Sequence, residues 1–467
     1  MTRNLTNRVR VWLVAGLFAA SVVLSGSFAT TAQAQDKDPI KVGFSMALSG
    51  ALAGGGQQAL VAIQLWAEDM NKKGGLLGRQ VELVFYDDQT NPKNVPGIYS
   101  KLLDIDKVDL IVSGYGTNLI APAMPIAIDR EMVLMGLFGM NANAKWEYEN
   151  YFSILPAGPD PAVGFSEVWF QSVNKAFKPK TIAFIAADAE FAQNLKEGAV
   201  RNAKAMGMEI VYEQNYNPKT ADFTPILRAA NAKKPDAIYI ASYPNGSAGL
   251  VRALAEVGTD AKAVGGGMVG LQFAGLMAGL GPMLNGIANY DFFVPEPTMN
   301  LYPGASALID RYQSKVKAEN LKVDALGYYL VPWAYANLDI LGQAVEAVGS
   351  LDQVAIGKYI RDNEFTSVVG KIKFGKNGEW ERPRTLVVQY QGITNNDLQQ
   401  FATPGTRKIL LPADISTGDI QSFNSLRKEQ TKQGSGPKFG LAALRFFSTG
   451  ARSGCGVRPW PYLLIFC

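Results

Sequence analysis

The sequence predicts an α/β protein built from two mostly parallel sheets, each flanked by helices. Three observations carry this. Strand-like and helix-like hydrophobic periods alternate through most of residues 40–390. The alternation restarts after 151–155, as it does where a second unit begins. Two of the first strands run straight into loops of Gly, Ser, Thr and Asn ahead of a helix. Such loops leave backbone N–H groups and hydroxyls free for an anionic or polar ligand. In an open parallel sheet that place lies beyond the carboxyl ends of the strands, where ligands bind.

The elements follow in order. Ile40, Val42, Phe44 and Met46 alternate as a strand that enters Leu48-Ser49-Gly50. Residues 57–72 put Leu60, Ile63, Ala67 and Met70 on one helical face, and Gly74-Gly75 ends the helix. Strands over 81–86 and 108–112 come next, the first closing on Asp87-Asp88, the second opening into Gly114-Tyr115-Gly116-Thr117-Asn118. A helix over 120–130 and a buried strand over 132–137 complete the first unit. In the second, strands over 181–186, 209–212 and 237–242 alternate with helices over 191–206, 223–233 and 246–257. Helices over 305–319, 325–348 and 353–362 are expected to cover the sheets. Strands over 369–374 and 386–390 are expected to be joined through Asn377-Gly378, a strong turn signal.

Composition narrows the chemistry. None of the 467 residues is histidine, which removes Ser–His and Cys–His catalysis and the usual zinc ligands. Both cysteines, Cys455 and Cys467, lie near the end of the chain, so the body depends on no disulfide. The formal charge is +4, but Arg3, Arg8 and Arg10 and a tail carrying a net six positive charges leave about −5 for residues 35–423. A nucleic-acid partner therefore has no support from charge. Residues 1–34 read as an export signal: a basic start, an apolar run over 11–28, and Ala32-Gln33-Ala34 as cleavage site. Residues 424–467 turn Gly-, Ser- and Lys/Arg-rich, lose periodicity, and are expected to be a disordered tail.

Several landmarks recur together. They are the strand into Leu48-Ser49-Gly50, the run from Asp69 to Arg79, Asp87-Asp88-Gln89-Thr90-Asn91-Pro92, and Gly114 to Asn118 leading into Ala121-Pro122-Ala123. Then come 216–218, Asp222-Phe223, and Tyr243 ahead of Gly246. In this order and spacing the chain resembles the branched-chain amino acid-binding branch of the periplasmic substrate-binding proteins of ABC importers, from about residue 40 to 390. The resemblance implies a two-lobed type I periplasmic-binding-protein fold with three interlobe crossovers. One lobe would span 36–155 plus 286–366, the other 156–285 plus 367–423. It also implies a monomeric periplasmic receptor that takes a small molecule to an ABC permease, without cofactor, metal or catalysis. Carried over by position, ligand contacts fall at Tyr115, Gly116, Thr117 and Asn118 and at Gly139, Met140 and Asn141 in the first lobe. In the second they fall at Phe191, Tyr243 and Gly267.

The departures bear on the ligand. Amino acid binders of this family pair the α-ammonium with an acid in the second lobe, and the corresponding stretch here, Gly265-Gly266-Gly267-Met268-Val269, has none. A buried ammonium without a carboxylate costs several kcal/mol. The nearest acids are Glu256, Asp260 and Asp291. Tyr115, Phe138, Phe191, Tyr243 and Tyr290 near the expected cleft favour an aromatic carboxylate, with amino acid or amide and urea-like ligands as the alternative. A sensor domain of the same architecture is a second function class. An exported enzyme using Asp87, Asp88 and Glu68 is a third, disfavoured by the missing histidine. Neither Gly54-Gly55-Gly56 nor Gly265-Gly266-Gly267 belongs to a phosphate-loop or dinucleotide motif.

Overall fold

The computed structural model describes residues 38–432. The expected export signal, the two cysteines and the tail beyond 432 lie outside these residues.

Two sheets form the two lobes. The first contains β1 (Ile40–Met46), β2 (Val81–Asp87), β3 (Leu110–Tyr115), β4 (Leu134–Leu137) and β5 (Tyr151–Ser153), in the order β2-β1-β3-β4-β5, all parallel. Parallel strands covered on both faces are apolar throughout, and β3, β4 and β5 are buried at every position. The second sheet adds β6 (Thr181–Ala187), β7 (Glu209–Tyr216), β8 (Ala237–Ser242), β9 (Ala263–Met268) and β10 (Ile287–Asp291). Its parallel part runs β10-β9-β8-β6-β7. The two lobes thus share one strand order, with a topological switch between β1 and β3 in the first and between β6 and β8 in the second.

The helix Ala53–Lys72 is buried along residues on more than the expected face, including Ala59, Ala62, Ile63 and Trp66. It lies against the helix Val331–Val348, which buries Trp333, Leu338, Leu341 and Val345 and itself covers the sheet beside β4. That second helix starts six residues later than periodicity suggests. Asp324 instead accepts N–H bonds from Leu326 and Gly327, each at 2.9 Å, and winds 324–330 into a turn.

Four expectations are corrected. The strand β10 belongs to the second sheet, pairing with β9, so residues 286–291 leave the first lobe. The strands over 369–374 and 386–390 do not pair. β12 (Gly370–Lys373) pairs with β11 (Glu364–Ser367), a strand missing from the sequence reading. β13 (Leu386–Tyr390) pairs with β10 and with β14 (Arg407–Leu411), both antiparallel. Asn377-Gly378 does turn the chain, with Gly378 N–H on the Gly375 carbonyl at 3.0 Å, but it closes only a bridge between Phe374 and Trp380. Ser153 N–H donates to the Gly378 carbonyl at 2.8 Å, and the Phe374 ring packs against Phe152 at 5.3 Å, which keeps residues 364–381 in the first lobe and not the second. Finally, 424–432 are not irregular: the helix Phe423–Lys432 docks on the second lobe through buried Phe423 and Leu426.

The chain crosses between lobes over 154–160, 292–304 and 382–385. The first and third crossings run side by side, with Arg384 N–H on the Pro156 carbonyl at 2.8 Å.

Candidate functional site

The two switch points face each other, and a narrow cavity lies between them. From the first lobe come Leu52 after β1, Tyr115, Gly116, Thr117 and Asn118 at the end of β3, and Phe138 after β4. The second lobe supplies Phe191 after β6, Tyr243 after β8 and Val269 after β9. Leu155 on the first crossover, Phe165 in the helix Pro161–Phe177 and Tyr329 ahead of the helix Val331–Val348 complete the wall. Nearly every strand that touches the cavity does so through the residues just beyond its carboxyl end, which is where the sheet topology aims them.

Polar groups concentrate at one point. Gly116 takes φ +94°, a conformation costly for residues with a Cβ, and turns β3 into the helix that starts at Thr117. The backbone N–H groups of Thr117 and Asn118 have no acceptor among the described residues, as expected for a helix start. Thr117 Oγ1 accepts the Met140 N–H at 2.9 Å, and its own proton has no protein acceptor there. Three donors therefore converge without a counterpart.

Six of the ten expected contacts line the cavity together: Tyr115, Gly116, Thr117, Asn118, Phe191 and Tyr243. The other four do not. Met140 stands behind Thr117, holding its hydroxyl. The Gly139 carbonyl accepts from Ser153 Oγ at 2.9 Å, and Gly139 is packed so closely that a Cβ would lie 2.3 Å from the Tyr151 hydroxyl. Asn141 turns the same loop at φ +56°. Gly267 sits under Leu195, with a Cβ 2.0 Å from the leucine methyl, so its role is to admit that side chain. Sequence reasoning missed Leu52, Leu155, Phe165, Val269 and Tyr329. Leu52 and Val269 closely follow strands, a position that would have flagged them. Phe165 and Tyr329 reach the site through the fold alone.

The lobes touch across the cavity. Tyr243 donates to Asn118 Oδ1, which also receives the Phe191 N–H at 3.4 Å. Asn194 Nδ2 donates to the Met140 carbonyl at 3.2 Å. Aromatic rings fill the rest: Phe165 and Phe191 meet edge to face at 6.0 Å, and so do Phe138 and Tyr329 at 5.5 Å. Burial pushes the phenols of Tyr115, Tyr243 and Tyr329 above their ordinary value, so all three are neutral donors.

No residue lining the cavity carries a charge. Asp291 is fully buried, and Arg407 holds it at 3.2 Å. Glu256 and Asp260 are exposed at the opposite end of the second sheet. Asp87 is committed to the loop beside it, accepting from Leu48 N, Ser49 N, Ser49 Oγ and Gln89 N. Burial raises the carboxyl of Asp87, but these bonds outweigh it and hold it below the usual range. Asp88 is buried against Ser45 Oγ, and burial pushes it up to about 6. Glu68 pairs with Lys315 at 2.9 Å. The three acids of the enzyme reading are thus occupied separately. Among the described residues no cluster of acids or cysteines could hold a metal, and no helix is long and apolar enough to cross a membrane.

Comparison with known proteins places these features. A family model described as periplasmic binding protein matches residues 39–392. A leucine-, isoleucine-, valine-, threonine- and alanine-binding protein of Pseudomonas aeruginosa is 24% identical over 366 residues, covering 78% of this chain and 92% of the relative. A leucine-binding protein of Thermotoga maritima superposes with a TM-score of 0.67 at 19% identity, covering 79% of this chain and 97% of the other. A solute-binding protein of an ABC transporter from Rhodopseudomonas palustris, in complex with 3,4-dihydroxybenzoic acid, superposes with a TM-score of 0.63 at 18% identity, covering 76% and 94%.

Proposed function

The chain belongs to the periplasmic binding protein family, and we propose that it captures a small aromatic carboxylate between its lobes and delivers it to the permease of an ABC importer. The observation that carries the ligand class is the distribution of polarity in the cavity. The donors at Thr117 and Asn118 suit a carboxylate, which several N–H and O–H bonds stabilise without a buried cation. The remaining wall is aromatic and aliphatic and holds no acid, so an α-ammonium would enter unpaired. Six of the twelve lining residues are aromatic, which suits a flat ring. The relative bound to 3,4-dihydroxybenzoic acid supports the same class. Export to the periplasm fits a family of this name.

Calorimetry on the purified protein with benzoate and with leucine, isoleucine and valine tests this. Benzoate is expected to bind and the three amino acids to bind far more weakly. In a melting assay, a ligand at a hundredfold its Kd stabilises by about 2.7 kcal/mol. Tight binding of leucine with none of benzoate would overturn the reading.

A branched-chain amino acid is the second reading, favoured by the Pseudomonas relative and by Glu190, the acid that directly precedes the cavity-lining Phe191. On that reading Glu190 supplies the countercharge, and Glu190→Gln abolishes leucine binding.

A further inference from the structure

Along one side of the cavity three tyrosine hydroxyls form a chain. Tyr115 donates to the Tyr329 hydroxyl at 3.4 Å, and the hydroxyls of Tyr329 and Tyr290 lie 2.9 Å apart. All three residues are at most 3% exposed. Tyr115 and Tyr329 line the cavity, and Tyr290 stands in β10 at the back. Each phenol is neutral in this apolar setting and carries one proton. The Tyr290–Tyr329 bond can run either way, and with Tyr290 donating, the two hydrogen bonds use two of the three protons and leave the third on Tyr329, at the cavity. No other acceptor among the described residues takes the third. A buried donor without an acceptor is costly, and native proteins seldom leave one.

We infer that this hydroxyl chain is a second polar subsite that selects aromatic carboxylates bearing a ring oxygen over unsubstituted ones. The inference rests on the aromatic carboxylate reading and extends it. The carboxylate goes to Thr117 and Asn118, and the spare phenol proton goes to a hydroxyl or keto oxygen on the ring. A site that presents a buried donor discriminates against ligands lacking the matching oxygen more sharply than an apolar wall can. The subsite therefore separates ligands that the Thr117 end treats alike.

Calorimetric titrations of the wild-type protein with benzoate, 3-hydroxybenzoate and 4-hydroxybenzoate provide the test. At least one hydroxybenzoate is expected to bind roughly tenfold more tightly than benzoate. The double variant Tyr115→Phe/Tyr329→Phe removes both hydroxyls that line the cavity, and the preference should fall to about unity. The single variant Tyr329→Phe, which changes the packing least, should reduce it in the same direction. Equal affinities in the wild type would mean that water completes the chain, and a preference that survives the double variant would place the selection elsewhere. Either outcome overturns this inference and leaves the carboxylate site standing. Binding of none of the three acids would overturn the aromatic carboxylate reading and this inference with it.

Discussion

Thr117 combines two roles that substitutions separate. Its oxygen accepts the Met140 N–H, which holds the loop behind it, and its proton is free for the ligand. Thr117→Val removes both, and the expected loss of benzoate binding is roughly 1.5–3 kcal/mol, the range for a hydrogen bond to a charged group. Thr117→Ser keeps the hydroxyl and should restore most of it. Calorimetry that finds Val and wild type equal would put Thr117 outside the site. Glu379 gives a second residue-level prediction. It is buried, one carboxylate oxygen has no partner, and burial pushes its pKa up to about 8 from an ordinary 4.5. A raised folded-state pKa means that its contribution is fully present below pH 4.5 and is lost as pH rises through 8. The stability difference between Glu379→Gln and wild type should therefore shift in favour of the variant across that window and stay flat outside it. Denaturant midpoints at pH 4, 6 and 9 measure this; a pH-independent difference would mean the carboxyl is solvated. Cavity-lining residues beside strand ends, such as Tyr115 and Thr117, were legible because topology aims them. Gly139, Met140 and Asn141 do not line the cavity; a loop that supports a cavity wall reads in sequence like one that lines it.

At the scale of elements, periodicity was sufficient where a segment was apolar on a regular repeat. The strand Ala237–Ser242 and the helix Gln353–Asp362 match the sequence reading at both ends. It failed where pairing was decided far away. Asn377-Gly378 announces a hairpin, but Pro383 and the third crossover carry the following strand into the other lobe, where β10 and β14 pair with its two edges. The helix Phe423–Lys432 was missed for a related reason. Its sequence is polar, with Phe423 and Leu426 buried. Those contacts make it more than an appendage: Arg427 also donates to the Met283 carbonyl at 2.5 Å. A chain ending at Phe423 should melt lower than one ending at Lys432, by about 1.5–3 kcal/mol for Leu426 alone. Identical melting curves would show that the helix adds nothing to the fold.

For the whole molecule, the relevant quantity is the balance between open and closed lobes. Tyr243 to Asn118 and Asn194 to Met140 are hydrogen bonds made across the cavity, and separating the lobes breaks both. A ligand that bridges the lobes stabilises the closed form by its differential affinity, and its apparent Kd carries the fraction of protein already closed. Tyr243→Phe keeps the ring and removes one of the cross-cavity bonds. It should shift the balance toward the open form by about 0.5–1.5 kcal/mol. Because the cost falls on closure and not on one ligand group, every carboxylate tested should weaken by a similar factor of roughly two to ten. Thr117→Val, by contrast, acts on the anion contact. Small-angle scattering without ligand should give a larger radius of gyration for Tyr243→Phe than for wild type, converging when benzoate saturates both. If the variant weakened one acid strongly and spared another, Tyr243 would be a ligand contact and not a closure element.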